Sequence, residues 1–504
     1  PDSSAVPGPD PAGAETSADH SHVVYGRWAW ESAQPVTLAD VESFLACLPP
    51  SVLRLKGTVA LVDGTGVVVD VVGRWCPDGQ PGRIGKFGAG FAHEQSTVPR
   101  DALRSALMQG LMQDIPLTIT HLFDRAEQYF GHKEIVTATG AGLERTTYAD
   151  WAQRTRRLGG VLDTLGISAD GRVATFAWNT ARHLELYFAA PCTGRVLHTL
   201  NIRLFPDQLT YIVNHADDEV IFADKSLLGL LAPLMPTFER LRHLVVMDDG
   251  VGEIPDGLGA GGVEIHDYEE LLAAAAPLDW PEIGDEHQAA SMCYTSGTTG
   301  NPKGVVYSHR STYLHTMGAM MVDSLGACEA DVILPVVPMF HANAWGLAHA
   351  AVATGASLVM PGPDLSGPAI AKLIVDERVT VAAGVPTIWM AVLPELEGKD
   401  TSSLRSIPCG GSAVPKSLSE AYREQLGLPI LQAWGMTETS PIASVCHLDS
   451  DQHQLSVEAQ ADLRTQVGRI SLGVEARVVD PETLEPIAWD GESSGELQCR
   501  GNWI

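Results

Sequence analysis

The run Tyr294-Thr295-Ser296-Gly297-Thr298-Thr299-Gly300-Asn301-Pro302-Lys303-Gly304 concentrates anion-binding chemistry. Three glycines, four Ser/Thr hydroxyls and one lysine fall within eleven residues. Glycine lets backbone N–H groups turn in close around an anion. The hydroxyls of Thr295, Ser296, Thr298 and Thr299 add donors for phosphate oxygens, and Lys303 adds a mobile positive charge. Composition alone also fits an ordinary flexible loop. The order is not that of a Walker A loop, because the lysine precedes its glycine and no Ser or Thr follows it. An apolar lead-in, Ala289-Ala290-Ser291-Met292-Cys293, runs into the loop.

Further along lie four segments with residues of chemical interest. Pro338-Met339-Phe340-His341-Ala342-Asn343-Ala344-Trp345-Gly346 sets a histidine among apolar neighbours. Cys409-Gly410-Gly411-Ser412-Ala413-Val414-Pro415 is a glycine turn. Gln432-Ala433-Trp434-Gly435-Met436-Thr437-Glu438-Thr439-Ser440-Pro441 carries a hydroxyl and a carboxylate side by side. Gly495-Glu496-Leu497-Gln498-Cys499-Arg500-Gly501 closes the series.

The loop, continuing through Val305-Val306-Tyr307-Ser308-His309-Arg310, resembles the phosphate-binding signature of the adenylate-forming superfamily: acyl-CoA synthetases, luciferases and peptide-synthetase adenylation domains. The resemblance to acyl-CoA synthetases covers roughly residues 112–504. It implies that Thr295, Ser296, Gly297, Thr298, Thr299, Gly300 and Lys303 hold the nucleotide phosphates. It also places Gly410, Gly411, Ser412, Trp434, Gly435 and Met436 along the adenine. Trp434 stands where the family usually has tyrosine, which keeps an aromatic face but loses a hydroxyl. Thr437 is implied to contact the α-phosphate, and Glu438 to hold Mg²⁺, a hard cation suited to oxygen ligands. His341 is implied to meet the substrate carboxylate; a lone histidine beside an aromatic is otherwise a satisfied core residue. Trp345 either lines an acyl tunnel or is a core tryptophan. Val385 lies in the apolar run Gly384-Val385-Pro386-Thr387-Ile388-Trp389-Met390, which resembles fatty-acid rather than amino-acid activators.

The expected reaction joins a medium- or long-chain fatty acid to CoA through acyl-AMP, with ATP, Mg²⁺ and CoA as co-reactants. The family next has an aspartate for the ribose, a hinge and a lysine-bearing subdomain. This chain stops at Asn502-Trp503-Ile504 and begins without Met, so a fragment with weak turnover is expected. Another acid–CoA ligase, an acyl-AMP ligase and a non-catalytic ligand- or metal-binding fusion remain open.

These groups need layered elements to position them. Expected helices cover Ile119–Tyr129, Tyr148–Leu165 with an Arg-rich outer face, His183–Pro191 and Gln208–His215. Expected strands are Val173–Trp178, Val196–Leu200 and Val220–Phe222. This alternation indicates an α/β domain with a largely parallel sheet over 111–504, to which the resemblance adds a small β-barrel region. Residues 1–21 read as a disordered tail and 77–110 as a Gly/Pro-rich linker. Between them, 22–76 reads as a small α+β unit. It has a strand at His22–Trp30, a helix capped by Thr37, and a hairpin of Thr58–Val62 and Val67–Val72 around Asp63-Gly64-Thr65-Gly66. That unit resembles the C-terminal domain of CobW-type metal-chaperone GTPases. His20 and His22 are either solvated or metal-binding.

The net charge of −29 argues against a general nucleic-acid binder. Eight scattered cysteines without a C-x-x-C pair fit a reducing cytoplasm. Ala342–Met360 reads as a buried helix-and-strand segment rather than a membrane span. Contact with a membrane surface and pairing into a homodimer are left open.

Overall fold

A computed structural model describes residues 113–295 and 301–504, together with the strands Arg54–Ala60 and Gly66–Val72. The chain divides into two units, Pro1–Leu111 and Met112–Ile504. In the first, the two strands pair antiparallel, Arg54 opposite Val72 and Ala60 opposite Gly66. The expected hairpin is therefore present, but its first strand begins and ends earlier than Thr58–Val62. The tail with His20 and His22, the His22–Trp30 strand, the helix after Thr37 and the 77–110 linker lie outside the described residues.

In the second unit, the helices Ile119–Tyr129, Tyr148–Thr164, Ala181–Cys192 and Pro206–Ala216 form where apolar residues recur on one face. Thr147 caps the second helix by accepting from the Asp150 amide, and Thr180 caps the third by accepting from His183. The arginines of the second helix are not simply an outer face. Arg154 pairs with Glu185 and Glu269, and Arg156 pairs with Glu127 while lying over the Phe123 and Trp280 rings.

Among the described residues a seven-stranded sheet runs, in spatial order, Lys303–Ser308, Ala289–Thr295, Val196–Thr199, Arg172–Phe176, Asp218–Asp224, His243–Met247 and Glu264–Asp267. All its pairings are parallel except the hairpin of the first two strands. A five-stranded sheet follows the order Val381–Ala383, Val332–Pro335, Ser357–Met360, Glu134–Thr139 and Gly142–Thr147. A four-stranded sheet, Pro408–Cys409, Leu431–Gly435, Ile442–Val445 and Arg469–Ile470, is followed by a separate hairpin, Val474–Val479 with Glu496–Gly501. These small sheets are open, so no closed barrel forms among the described residues. Leu347–Thr354 is a buried helix leading to the strand Ser357–Met360, and no described helix is long and apolar enough to cross a membrane.

The core between the two large sheets holds Phe123, Trp151 and Phe188 with rings 5.2–6.2 Å apart, and histidines kept neutral by burial. His309 is one of these. Its Nδ1 accepts the Ile119 amide at 3.2 Å, tying the helix His309–Met320 to the start of Ile119–Tyr129. Desolvation lowers its pKa from 6.5 to about 4. In that window the unfolded imidazole takes a proton that the native one refuses, so stability falls as pH drops from 6.5 towards 4 and levels below it. His309→Gln should remove this component. Urea unfolding from pH 7 to 4 should show wild type losing up to about 1.4 kcal/mol per pH unit relative to the variant. A difference that stays constant with pH would contradict a neutral buried His309.

Candidate active site

The hairpin at one edge of the seven-stranded sheet presents the glycine-rich loop. Thr295 stands directly opposite Lys303 in the antiparallel register. Lys303 is exposed at its base; Ser296, Gly297, Thr298, Thr299 and Gly300 lie outside the described residues. Tyr294 fixes the hairpin's root. Its hydroxyl is 2.7 Å from His215 Nδ1, and a Cβ on Gly304 would press on its ring at 3.1 Å.

Two anchors carry His341 to this region. Asn179 Nδ2 donates to the Pro335 and Val337 carbonyls at 2.7 and 2.8 Å, while its Oδ1 accepts the Met339 amide at 2.7 Å. The Tyr187 hydroxyl donates to the Met339 carbonyl. The chain then turns left-handed: Ala342, Asn343, Ala344 and Trp345 have φ of 43°, 50°, 51° and 57°, and Gly346 follows at 74°. Such backbone costs a non-glycine residue about 1–2 kcal/mol and clusters at functional sites. Asn343 holds it. Its Nδ2 donates to Ser291 Oγ at 3.0 Å, and its Oδ1 accepts from the Cys293 thiol at 3.3 Å. Both partners belong to the strand that enters the glycine-rich loop.

The turn delivers Trp345 to the glycine pair. A Cβ on Gly410 would meet the Trp345 ring at 3.4 Å and the Ala433 carbonyl at 2.7 Å, and one on Gly411 would meet Val385 at 3.5 Å. Ser412 is exposed beside them. The segment after Ala433 is equally close: a Cβ on Gly435 would fall 1.7 Å from the Pro441 carbonyl oxygen. Thr437 is buried and Glu438, the next residue, is exposed. The Tyr307 hydroxyl donates to the Thr437 carbonyl at 2.7 Å, joining the strand that leaves the glycine-rich loop to the Thr437–Glu438 turn.

Together these elements enclose a cleft of about 60 Å³, lined by His341, Trp345, Gly410, Gly411, Trp434, Gly435, Met436 and Thr437, with Leu325, Ala433 and Ile442. His341 opens towards it. The surrounding walls remove enough water to lower its pKa, and the positive charge of Arg203 adds to this, so it is neutral at pH 7. Beneath the cleft, His315 accepts the Ile442 amide at 3.1 Å and stands against Gly346. Desolvation and then His349 hold its pKa near 3. Sequence reasoning missed Tyr307, Asn343 and His315 as organisers. Only Tyr307 and Asn343 fell inside quoted motifs, with no local pattern that marked their long-range partners.

A layered α/β unit with this cleft between the His341–Gly346 turn, the Gly410–Gly411 pair and the Trp434–Thr437 segment fits a nucleotide-binding enzyme of the acid-activating type. The sequence profile described as "AMP-binding enzyme" matches residues 122–504, and the chain belongs to that family as an AMP-forming acid–CoA ligase. It is 43% identical over 402 residues to the 3-methylmercaptopropionyl-CoA ligase of Ruegeria pomeroyi, covering 79% of this chain and 73% of that one. It is 43% identical over 397 residues to the long-chain-fatty-acid–CoA ligase of Thermus thermophilus, covering 78% and 70%. A solved long-chain-fatty-acid-CoA ligase from Archaeoglobus fulgidus shares the fold, with a TM-score of 0.66 at 20% identity over 78% of this chain and 76% of that one. Residues 22–76 lie outside the matched range, and the comparisons lend the CobW-type resemblance no support.

Tyr307→Phe tests the joint between the two motifs. It leaves the Thr437 carbonyl without its buried donor, so stability should fall by about 1–3 kcal/mol. ATP affinity, read by calorimetry, should fall in the same variant. Unchanged stability and affinity would show that the bond organises nothing.

Proposed function

We propose that this chain activates a medium- or long-chain fatty acid at the cleft beside Trp345. A carboxylate oxygen attacks the α-phosphorus of ATP, and the bond from that phosphorus to the β-phosphate's bridging oxygen breaks, releasing pyrophosphate. The CoA sulfur then attacks the acyl carbonyl of the mixed anhydride. The carbonyl–oxygen bond breaks, AMP leaves and the thiol proton passes to solvent.

The observation that carries this reading is the wall around Gly410 and Gly411. Trp345, Ala433 and Ile442 make it apolar, Val385 backs it, and no acidic side chain appears among its described lining residues. An amino-acid substrate would leave its ammonium unpaired there. Each role is read from position. His341 meets the incoming carboxylate as a neutral donor. Ser296, Thr298, Thr299 and Lys303 receive the phosphates with the amides of Gly297 and Gly300. Trp434, Gly435 and Met436, with Gly410, Gly411 and Ser412, flank the adenine. Thr437 meets the α-phosphate.

The donor chemistry for a hard cation is present. Glu438 is an exposed carboxylate next to Thr437, and its charge is felt by the Tyr307 hydroxyl. Glu438 would hold Mg²⁺, whose charge neutralises phosphate oxygens. The chain's own part is to position: preorganised groups act because they need no rearrangement as charge develops.

A second reading has a specific support. About 60 Å³ is space for a few waters, so a long acyl chain requires the Trp345 ring to move, whereas a short thioether acid requires less. The Ruegeria pomeroyi relative is named for such an acid. AMP release with MgATP and CoA, measured for 3-methylmercaptopropionate, decanoate and palmitate, separates the two. The fatty-acid reading expects the higher kcat/KM on the longer acids and a shift of chain preference in Trp345→Ala. The highest kcat/KM on the thioether acid would favour the second reading, and no turnover on any of them would remove both. Glu438→Gln should lower the rate by about 10²–10³ with little change in acid KM.

A further inference from the structure

At the edge of the seven-stranded sheet opposite the glycine-rich hairpin, His243 and the pair Glu264 and His266 face one another. The strands His243–Met247 and Glu264–Asp267 run parallel, with His243 in register with Glu264 and Val245 with His266. Residues two apart in a strand share a face, so Glu264 and His266 both present to the side that His243 occupies. His243 Nδ1 lies 3.1 Å from His266 Nε2 and 3.6 Å from Glu264 Oε2, and His266 Nε2 lies 3.8 Å from that same oxygen.

We propose that His243 Nδ1, His266 Nε2 and Glu264 Oε2 form a binding site for a divalent transition metal of the Zn²⁺ class. Tetrahedral Zn²⁺ with bonds of about 2.0–2.2 Å needs ligand atoms about 3.3–3.5 Å apart, and these three atoms stand close to that spacing before any ion arrives. Two imidazoles and one carboxylate suit a borderline metal, not Mg²⁺, which prefers six oxygens. His243 is buried, and its second nitrogen, Nε2, is 3.1 Å from the Leu165 carbonyl oxygen. A carbonyl only accepts, so Nε2 carries the proton and Nδ1 presents its lone pair. A backbone carbonyl behind the remote nitrogen is the arrangement that orients metal-ligating histidines. Without an ion, the short Nδ1–Nε2 approach is satisfied by a proton on His266 Nε2; metal binding moves that proton to Nδ1 of the same ring or to solvent. The nearby Arg242 is already engaged by Glu219 and the Gly166 carbonyl, so its charge is paired. Glu264 is exposed, leaving a fourth position open to water. An ion here would pin the edge strand Glu264–Asp267 to its neighbour.

The test is a Co²⁺ titration of the untagged, EDTA-stripped full chain without nucleotide, followed by visible absorption. One equivalent should produce the d–d bands of a tetrahedral ion, and Zn²⁺ should displace it. His266→Ala and Glu264→Gln should each weaken binding at least about tenfold, with circular dichroism melts in EDTA matching wild type. A His20→Ala/His22→Ala variant should leave the bands intact, which separates this site from the N-terminal histidine pair. Absence of bands in wild type, or bands of undiminished affinity in both His266→Ala and Glu264→Gln, would overturn the proposal. If His266→Ala melts early, Glu264→Gln alone decides, because its carboxylate is on the surface.

Discussion

Four consecutive non-glycine residues in left-handed backbone are the constraint on which the cleft depends. At about 1–2 kcal/mol each, Ala342–Trp345 store strain that local sequence does nothing to relieve. What holds the turn is distant in the chain: Ser291 and Cys293 grip Asn343, and burial raises the Cys293 pKa so that its thiol stays a donor. Gly346 ends the turn where any side chain would strike His315. One buried amide therefore couples the strand entering the glycine-rich loop to the position of Trp345. Trp345 in turn rests on Gly410, which rests on the Ala433 carbonyl. The wall of the cleft is a chain of contacts in which each glycine is required by the next residue's proximity.

That logic explains which parts were legible from sequence. The helix Ile119–Tyr129 was read to its ends because its apolar period is local and needs no partner to be seen. The buried helix-and-strand character of 342–360 follows from an apolar stretch interrupted by Asn343, His349 and two glycines, with the left-handed turn unannounced at its start. No glycine marks Ala342 to Trp345, and the cause of their conformation lies about fifty residues upstream. Likewise Tyr307 stands in the sequence only as one residue of the run after the glycine-rich loop, while its bond to Thr437 spans 130 residues. The motif residues Trp345, Val385, Gly410 and Gly411 were named separately, and only tertiary packing brings them together. His243, Glu264 and His266 were not singled out at all: the pairing exists only through the register of two parallel strands, which neither strand's sequence encodes alone.

The electrostatics of the cleft are local rather than global. The chain carries a net charge of −29, yet its substrates are anions. Buried histidines do not help, because desolvation holds His183 and His349 near a pKa of 4 and His315 near 3. His183 and His315 serve as neutral hydrogen-bonding groups, while His349 packs its ring against Tyr187 and Phe188. Positive charge on the neighbouring elements is carried by exposed side chains: Lys303 opposite Thr295 in the hairpin and Arg203 near His341.

His341 sits between these two regimes. Its walls and Arg203 keep it neutral in the free protein, so its imidazole donates one hydrogen bond without bringing a charge that needs desolvating. In the proposed function, a carboxylate arriving beside it would reverse the balance, because an opposite charge within a few ångströms favours the protonated form. Substrate binding and proton uptake at His341 are then linked, and the acid binds more tightly when the ring is charged. The attack on phosphorus works against this, since a carboxylate held too firmly by a cation is a poorer nucleophile. In the proposed function, a histidine whose pKa is lowered before substrate arrives would orient the carboxylate without neutralising it, and Arg203 would contribute by keeping that pKa low.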